Sequence, residues 1–482
     1  MSHRPDDATT LDGIFRLNAR RRPQAVALID PPDRTSFTDG DARTLTYAQA
    51  DAATAALAAR LHALELPPGC TVALQFPNIV ESAVAMLGVL RGGFVPALLP
   101  LLWGPTETAR ALTEVSGRAL IVCGRVAATP HAELALHAAA GAFGVRYVCG
   151  FGTNLPDGIV PLDGIWNDGA AAASPFHTAR ADDRAAITFE AAAEGFRAVS
   201  RTHGQLLAGG LAVMLEANLP RHAVLLATLL PSSFAMLAAT LTPWLLSGGT
   251  LAQHQPFDGD VLSSQIAELA CDAVMLPGPL VEALAEAGIF GQATSILALW
   301  RAPGRQASSP PWRRDGTFVD LLAFGETGVV PLARGTGGMP RTLPLGPVQT
   351  RPNAPMAIAT TRTAHGTLAL SGPMVAPTQA ADTGYPCRFD PVTSTIALTG
   401  PPPGVVSVGG YSFALNELRD VIGRIDPTGT LAALPDLLVG QKLVGAAEDM
   451  AGVRRALAAL GVTPLLREAF RERSVAGPPS AA

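Results

Sequence analysis

The residues that could do chemistry in this 482-residue chain are notable first for the one that is nearly missing. Lysine occurs once, at Lys442, and arginine supplies almost all the positive charge. A compact ammonium with a tunable pKa is the usual choice for lysine-dependent acyl and phosphoryl chemistry, and arginine does not replace it directly. The polar segment Phe189-Glu190-Ala191-Ala192-Ala193-Glu194-Gly195-Phe196-Arg197 has no hydroxyl and two carboxylates. Its alanine run favours a helix over an open anion-binding loop. The five cysteines (Cys70, Cys123, Cys149, Cys271, Cys387) form no CxxC pair. They read as reduced, mostly buried thiols of a cytoplasmic protein, with no metal site.

The elements that must position these groups follow from composition and periodicity. At 48% hydrophobic and 16% charged residues the chain can bury large cores, and its length calls for more than one. A net charge of −5 argues against a nucleic-acid partner. The N-terminus MSHRPDDATT has no apolar signal region. Residues 223–257 contain no Asp, Glu, Lys or Arg. Pro231, Pro243 and Gly248-Gly249 cut the run into a buried strand, helix and strand, and this predicts no membrane span. From 45 to 124, helices (45–64, 81–93, 107–117) alternate with apolar strands (71–78, 94–100, 119–124), which predicts a mostly parallel α/β sheet with helices on its faces. Residues 302–311 and 331–356 read as loops, and TGPPP (399–403) as a stiff hinge. A large domain (1–398) and a shortened small α+β domain (399–482) are expected. The small domain reads as a short strand, a helix over 414–425 and a final helical stretch.

Several segments together resemble the class I adenylate-forming superfamily of acyl-CoA synthetases and AMP-dependent ligases. They are PQAVALID (23–30), LTYAQAD (45–51), LPPGCTVALQFPNIVESAVAMLGVLRGGFVPALLP (66–100), RAVSRTHGQLL (197–207), LLAFGETG (321–328), DTGY (382–385) and VSVGGYSFALNEL (406–418). The resemblance implies an adenylate-forming ligase fold and places the nucleotide and acyl site at Thr188, Thr202, His203, Phe234, Phe324, Gly325, Glu326, Asp382, Thr383 and Gly384. Thr327 and Arg197 are the implied catalytic pair.

The motifs depart from the family's pattern at most chemical positions. Its phosphate loop, approximately TSGTTGxPK, falls on 189–197, with only Arg197 keeping a positive charge. Its YGxTE becomes Phe324-Gly325-Glu326-Thr327-Gly328, with glycine in place of the magnesium carboxylate and Glu326 two residues early, about 6–7 Å away on an extended segment. Its TGD becomes Thr383-Gly384-Tyr385, with Asp382 on the other side. The adenine-side GGA is reduced to Ala302-Pro303-Gly304. The pocket PxxH is Pro231-Ser232-Ser233-Phe234, whose phenylalanine suits an apolar ligand. The hinge GR is Gly400-Pro401, and the C-terminal lysine has no counterpart; Lys442 falls too early, on a surface strand or turn. At roughly 1.5–3 kcal/mol per charge-assisted bond, these losses amount to on the order of 8–15 kcal/mol. The terms are not additive, yet half would exceed the roughly 4 kcal/mol of a millimolar ligand.

The resemblance therefore supports two functional expectations. The first is an acyl-ligand-binding or regulatory homologue impaired in ATP-dependent adenylation, partnered by a small carboxylate, an acyl-CoA, an acyl carrier or a pathway enzyme. The second is an active acid–thiol ligase of an apolar acid, using ATP and magnesium with Arg197, Thr327 and a C-terminal arginine such as Arg467 or Arg471. A structural subunit of a multienzyme assembly is a third.

Overall fold

The computed structural model describes residues 9–167, 178–193, 195–290, 295–348, 358–375, 381–408, 411–436 and 440–471. Two large sheets dominate. The first has seven strands, in the order Ile159–Pro161, Tyr147–Phe151, Gly117–Cys123, Thr71–Gln75, Val95–Leu98, Arg184–Ala192 and Gly195–Thr202. All neighbours in it are parallel except the last pair. The second has eight strands, with Val224–Ala227, Thr250–Gln253, Ala273–Pro277, Ser295–Trp300 and Phe318–Phe324 running parallel in its centre and antiparallel strands at both ends.

The local sequence explains the scaffold. Helix Tyr47–Ala63 starts at a reciprocal capping box between Thr46 and Gln49, which satisfies two orphan donors. Helix Val80–Arg91 is buried along its whole length. Its two charged ends are paired: Glu81 accepts from Arg34 at 2.6 Å and Arg91 donates to Asp12 at 2.7 Å. Such pairs make burial of the charge tolerable rather than favourable. The uncharged run forms strand Val224–Ala227, a helical stretch from Phe234 to Ser247 with a π turn at Leu237–Leu241, and strand Thr250–Gln253, as its proline and glycine breaks predict. Among the described residues no helix is long and apolar enough to cross a membrane.

Three expectations change. The alanine-rich run is no helix: Arg184–Ala192 and Gly195–Thr202 form an antiparallel hairpin, with Glu190 opposite Arg197 and Ala191 opposite Phe196. Helix propensity of a few tenths of a kcal/mol per residue yields to sheet pairing and to packing of Phe189 and Phe196 on Trp103. The proline- and glycine-rich stretch after 331 contributes strand residues at Gly328–Ala333, Leu343–Pro344 and Gly346–Pro347, while its end falls outside the described residues. The C-terminal part is more than one strand and helices. It has a four-stranded sheet that includes the antiparallel pair Thr430–Asp436 and Gly440–Ala446. Helices Leu415–Ile425 and Met450–Ala459 lie with it around a separate core that includes Val406, Ile422, Leu457 and Phe470.

Candidate functional site

The hairpin Arg184–Thr202, the turn at Phe324–Gly328 and the C-terminal sheet meet around one chamber of about 120 Å³. Its wall includes Trp103, Phe189, Phe196, Ser233, Arg301 and Phe413. Glu190 is part of the same wall. It pairs with Arg197 across the hairpin at 2.8 Å, and its other oxygen accepts the Glu326 backbone N–H at 3.3 Å. Gly325 has φ of +55°, and a Cβ there would lie 2.1 Å from that same Glu190 oxygen. Only a residue without a side chain lets the carboxylate reach this turn. An anion, a guanidinium and a backbone N–H thus converge at the turn, and the anion belongs to the protein.

Glu326 is not on an extended segment. Thr327 N–H bonds to Phe324 O at 3.0 Å, closing a tight turn between strands Phe318–Phe324 and Gly328–Ala333. The turn aims the Glu326 side chain inward, where its carboxylate accepts the Phe234 N–H at 2.7 Å at the start of the helical stretch. Burial raises its pKa, opposed first by the Arg301 guanidinium and then by the Phe234 N–H. This donor set does not fit a magnesium–triphosphate centre. Glu326 is committed to a helix end, Gly328 has no side chain, and no cluster of three metal-ligating residues occurs among the described residues. Magnesium needs hard oxygen ligands in close octahedral array.

Arg201 is the residue that holds the site together. It is buried, donates to the carbonyls of Met374 at 2.7 Å and Thr327 at 3.1 Å and also to that of Glu326, and lies 3.6 Å over the Phe234 ring. Burial lowers its pKa to about 10, opposed by Glu326 and Glu190. Phe234 is wholly buried beneath that guanidinium and is absent from the chamber wall. Arg301 donates to Ser233 Oγ at 2.5 Å and lies 4.0 Å from Glu326, while its buried Nε has no hydrogen-bond partner.

The remaining expected residues are spread over structural tasks. Thr188 is buried on the hairpin strand opposite Val199. Thr202 caps helix His203–Glu216. The His203 Nδ1 accepts the Leu11 N–H at 3.2 Å, tying the N-terminal helix to this one. Phe324 is fully buried, its ring edge-on to Tyr385 at 5.3 Å. The Tyr385 hydroxyl reaches the Arg301 carbonyl at 3.4 Å, and burial raises its pKa. Asp382 is exposed and bonds the Gly384 N–H and Thr367 hydroxyl, both at 2.9 Å, while Thr383 bonds Leu368 O at 2.7 Å. Thr327 is buried in the Phe324–Gly328 turn, and the Arg197 side chain is 63% exposed. Lys442 lies on strand Gly440–Ala446, 46% exposed and 3.2 Å from Asp436. Glu190, Arg197, Gly325, Glu326 and Thr327 are therefore brought together. Thr202, His203, Asp382 and Lys442 serve local structure. Arg201 and Arg301 escape a motif-based reading; the available signal was an arginine inside one β segment and another closing the apolar run SILALW.

Two mainly parallel sheets flanked by helices, with a separate four-stranded sheet and its own core following them in the chain, match the adenylate-forming ligase architecture. The AMP-binding enzyme family matches residues 15–314, and the chain belongs to it, within the class I adenylate-forming superfamily. Sequence relatives include a salicyl-AMP ligase / salicyl-S-ArCP synthetase of Mycobacterium tuberculosis, 38% identical over 18% of this chain and 15% of that protein. A 2-hydroxy-7-methoxy-5-methyl-1-naphthoate–CoA ligase of Streptomyces carzinostaticus is 29% identical over 39% of this chain and 33% of that protein. The matched stretches thus span no more than about a third of these relatives. Among solved structures, apo MbtA of Mycobacterium smegmatis aligns with a TM-score of 0.64 at 20% identity, over 95% of this chain and 90% of that one. The o-succinylbenzoate CoA synthetase of Bacillus subtilis aligns with a TM-score of 0.69 at 15% identity, over 94% and 93%. These likenesses establish the fold.

Proposed function

We propose that this AMP-binding-family protein is impaired in ATP-dependent carboxylate adenylation and acts as a carboxylate- or acyl-binding regulatory homologue. The observation that carries this reading is the Glu190 carboxylate, which sits against Gly325 with the Arg197 guanidinium and the Glu326 N–H as partners. A phosphate approaching this turn would meet that carboxylate first. An unpaired carboxylate about 5 Å away would repel it by roughly 3 kcal/mol per charge pair at an effective dielectric of about 20; with Arg197 alongside, the seat is closed chiefly by occupation, because Glu190 already holds the guanidinium and the N–H that a phosphate oxygen would need. The Glu326 carboxyl is held by the Phe234 N–H, so it cannot serve a metal without unmaking a helix start.

The partners in this reading are small carboxylates, acyl-CoA or an acyl-carrier protein. The salicyl- and naphthoate-directed names of the relatives support a carboxylate ligand. A cytoplasmic location belongs to the same proposal, supported by five unpaired cysteines. The competing reading, an active ligase, would draw on Arg467, whose buried Nε has no partner, or on Arg471, which lies 3.3 Å from Glu468. Carboxylate-dependent release of pyrophosphate tests the choice. Turnover above that of a Thr327→Ala control would overturn the impaired reading; background-level release from wild type across a panel of acids is the expected result.

A further inference from the structure

We infer that the C-terminal four-stranded sheet and its core form a fixed cover on the chamber, keyed into one orientation by a backbone joint at Gly104. The inference stands apart from the impaired-adenylation reading. Gly104 is the first argument. Its φ of −80° and ψ of −177° are extended backbone open to L-residues, so its own conformation does not call for glycine. A Cβ there would lie 2.0 Å from the carbonyl oxygen of Gly461, and its three nearest atoms all belong to the loop of Gly461 and Val462. The space left by the missing side chain is therefore filled by the C-terminal part of the chain, a close approach of two backbones that only glycine permits. Gly461 in turn takes a left-handed φ of +64° directly against the Pro105 ring.

The polar groups of the same helix start, Pro105–Glu114, are spent on that loop. The Thr106 hydroxyl donates to Leu460 O at 2.6 Å, and its N–H reaches Gly461 O at 3.4 Å. The Thr463 N–H donates to Glu107 Oε1 at 3.0 Å, while Glu107 Oε2 accepts the Gly104 N–H at 3.0 Å. One carboxylate thus satisfies orphan donors of its own helix and of the loop packed on it. Thr463 is wholly buried at this joint. One helical turn further on, Arg110 is ion-paired with Glu417 of the C-terminal helix Leu415–Ile425. A second attachment lies on the other large sheet. Arg305, just past strand Ser295–Trp300, donates to the carbonyls of Asp436 at 2.8 Å and Gly440 at 2.9 Å, where the C-terminal strand pair turns. A body on one covalent linker can swing; one pinned also to both sheets cannot without unmaking these bonds. Tyr411, Phe413, Glu417, Val462 and Leu466 line the chamber from this block, so the pinned orientation is the one that covers it.

The test is small-angle scattering and amide hydrogen exchange on the full chain, wild type against Gly104→Ala. Wild type should scatter as one compact arrangement, with residues 104–107 and 460–463 protected together. Gly104→Ala puts a methyl where the Gly461 carbonyl sits, in a backbone conformation that alanine adopts freely. Exchange in both segments should then rise together by at least about ten-fold, and the scattering should gain an extended population. Strand Thr71–Gln75 and helix Met450–Ala459 should keep their protection, which separates undocking from unfolding. Should Gly104→Ala fail to fold, the double variant Thr106→Val, Arg305→Gln decides in its place, because it removes bonds at both attachments without adding bulk. Wild-type scattering that requires two arrangements of the C-terminal block, or protection of both segments unchanged in the deciding variant, overturns the inference. ATP–magnesium binding with pyrophosphate release would overturn the impaired-adenylation reading and leave these arms to be scored on their own.

Discussion

The strand–helix–strand run from Thr71 to Cys123 and the hairpin Arg184–Thr202 lie in one seven-stranded sheet, yet their side chains follow opposite rules. In the first, strands such as Thr71–Gln75 and Val95–Leu98 are buried at every position, as parallel strands covered on both faces must be. In the second, the pairing ends at an edge that faces the cleft, and Glu190 and Arg197 answer each other across it. Burial on two faces leaves the first region little choice of residue. The hairpin has a free edge, so its polar groups can be reassigned while the backbone frame stays. The cleft then becomes a structural joint: Arg201 gathers the carbonyls of Met374, Glu326 and Thr327, and Glu326 holds the Phe234 helix start.

That contrast can be broken in graded ways. The largest effect is expected from Arg201→Ala, which strands buried carbonyls and removes the cation over Phe234. At about 1–3 kcal/mol per unsatisfied group, the loss should be at least about 3 kcal/mol, read as a fall in the denaturant midpoint. A change below about 1 kcal/mol would mean that the joint is incidental. Gly325→Ala comes next. A methyl there meets Glu190 and sits at φ +55°, and a destabilisation of about 2 kcal/mol is expected. In the Gly325→Ala, Glu190→Ala pair the steric part should vanish, leaving about 1 kcal/mol of backbone cost. Full additivity would show that the two residues do not touch.

Ionisation of Glu326 gives a smaller, pH-dependent effect. Its folded-state pKa is raised by burial, so the folded protein holds its proton more tightly than the unfolded chain. The carboxyl's contribution to stability is therefore fully present below the ordinary value of 4.5 and declines as pH rises through the raised value. Glu326→Gln keeps an acceptor for Phe234 N–H but has no such titration. The stability difference between wild type and this variant should move in the variant's favour from about pH 4.5 upward, measured by urea unfolding at several pH values. A flat difference would place the charge elsewhere. The smallest effect belongs to Lys442→Ala, the removal of the chain's only lysine. Its half-exposed pair with Asp436 is worth under about 0.5–1 kcal/mol, and neither ligand binding nor melting should shift appreciably.

Much of the scaffold is legible before any coordinates. The alternation from 45 to 124 predicts the parallel sheet, and the proline and glycine breaks turn an apolar run into strand, helix and strand. The hairpin is not legible that way, because the alanines at 191–193 favour a helix only until Phe189 and Phe196 find Trp103 far away in sequence. The site is legible in part. The GET turn and Arg197 stand out by motif, but Glu190's role depends on the space left by Gly325, and that is a tertiary fact. Arg201 sits one residue from a recognisable Thr202-His203 pair and gains its meaning only from the carbonyls that surround it.

The central claim is that the protein's own Glu190 holds the phosphate seat, and titration of wild type and Glu190→Ser with ATP and magnesium tests it most directly. The account predicts no heat from wild type up to several millimolar ATP. It predicts measurable binding once Glu190 is removed, because the Arg197 guanidinium and the Glu326 N–H that it occupies become free for a phosphate. Wild-type binding at roughly tens of micromolar, weakened by EDTA and unchanged in Glu190→Ser, would contradict it.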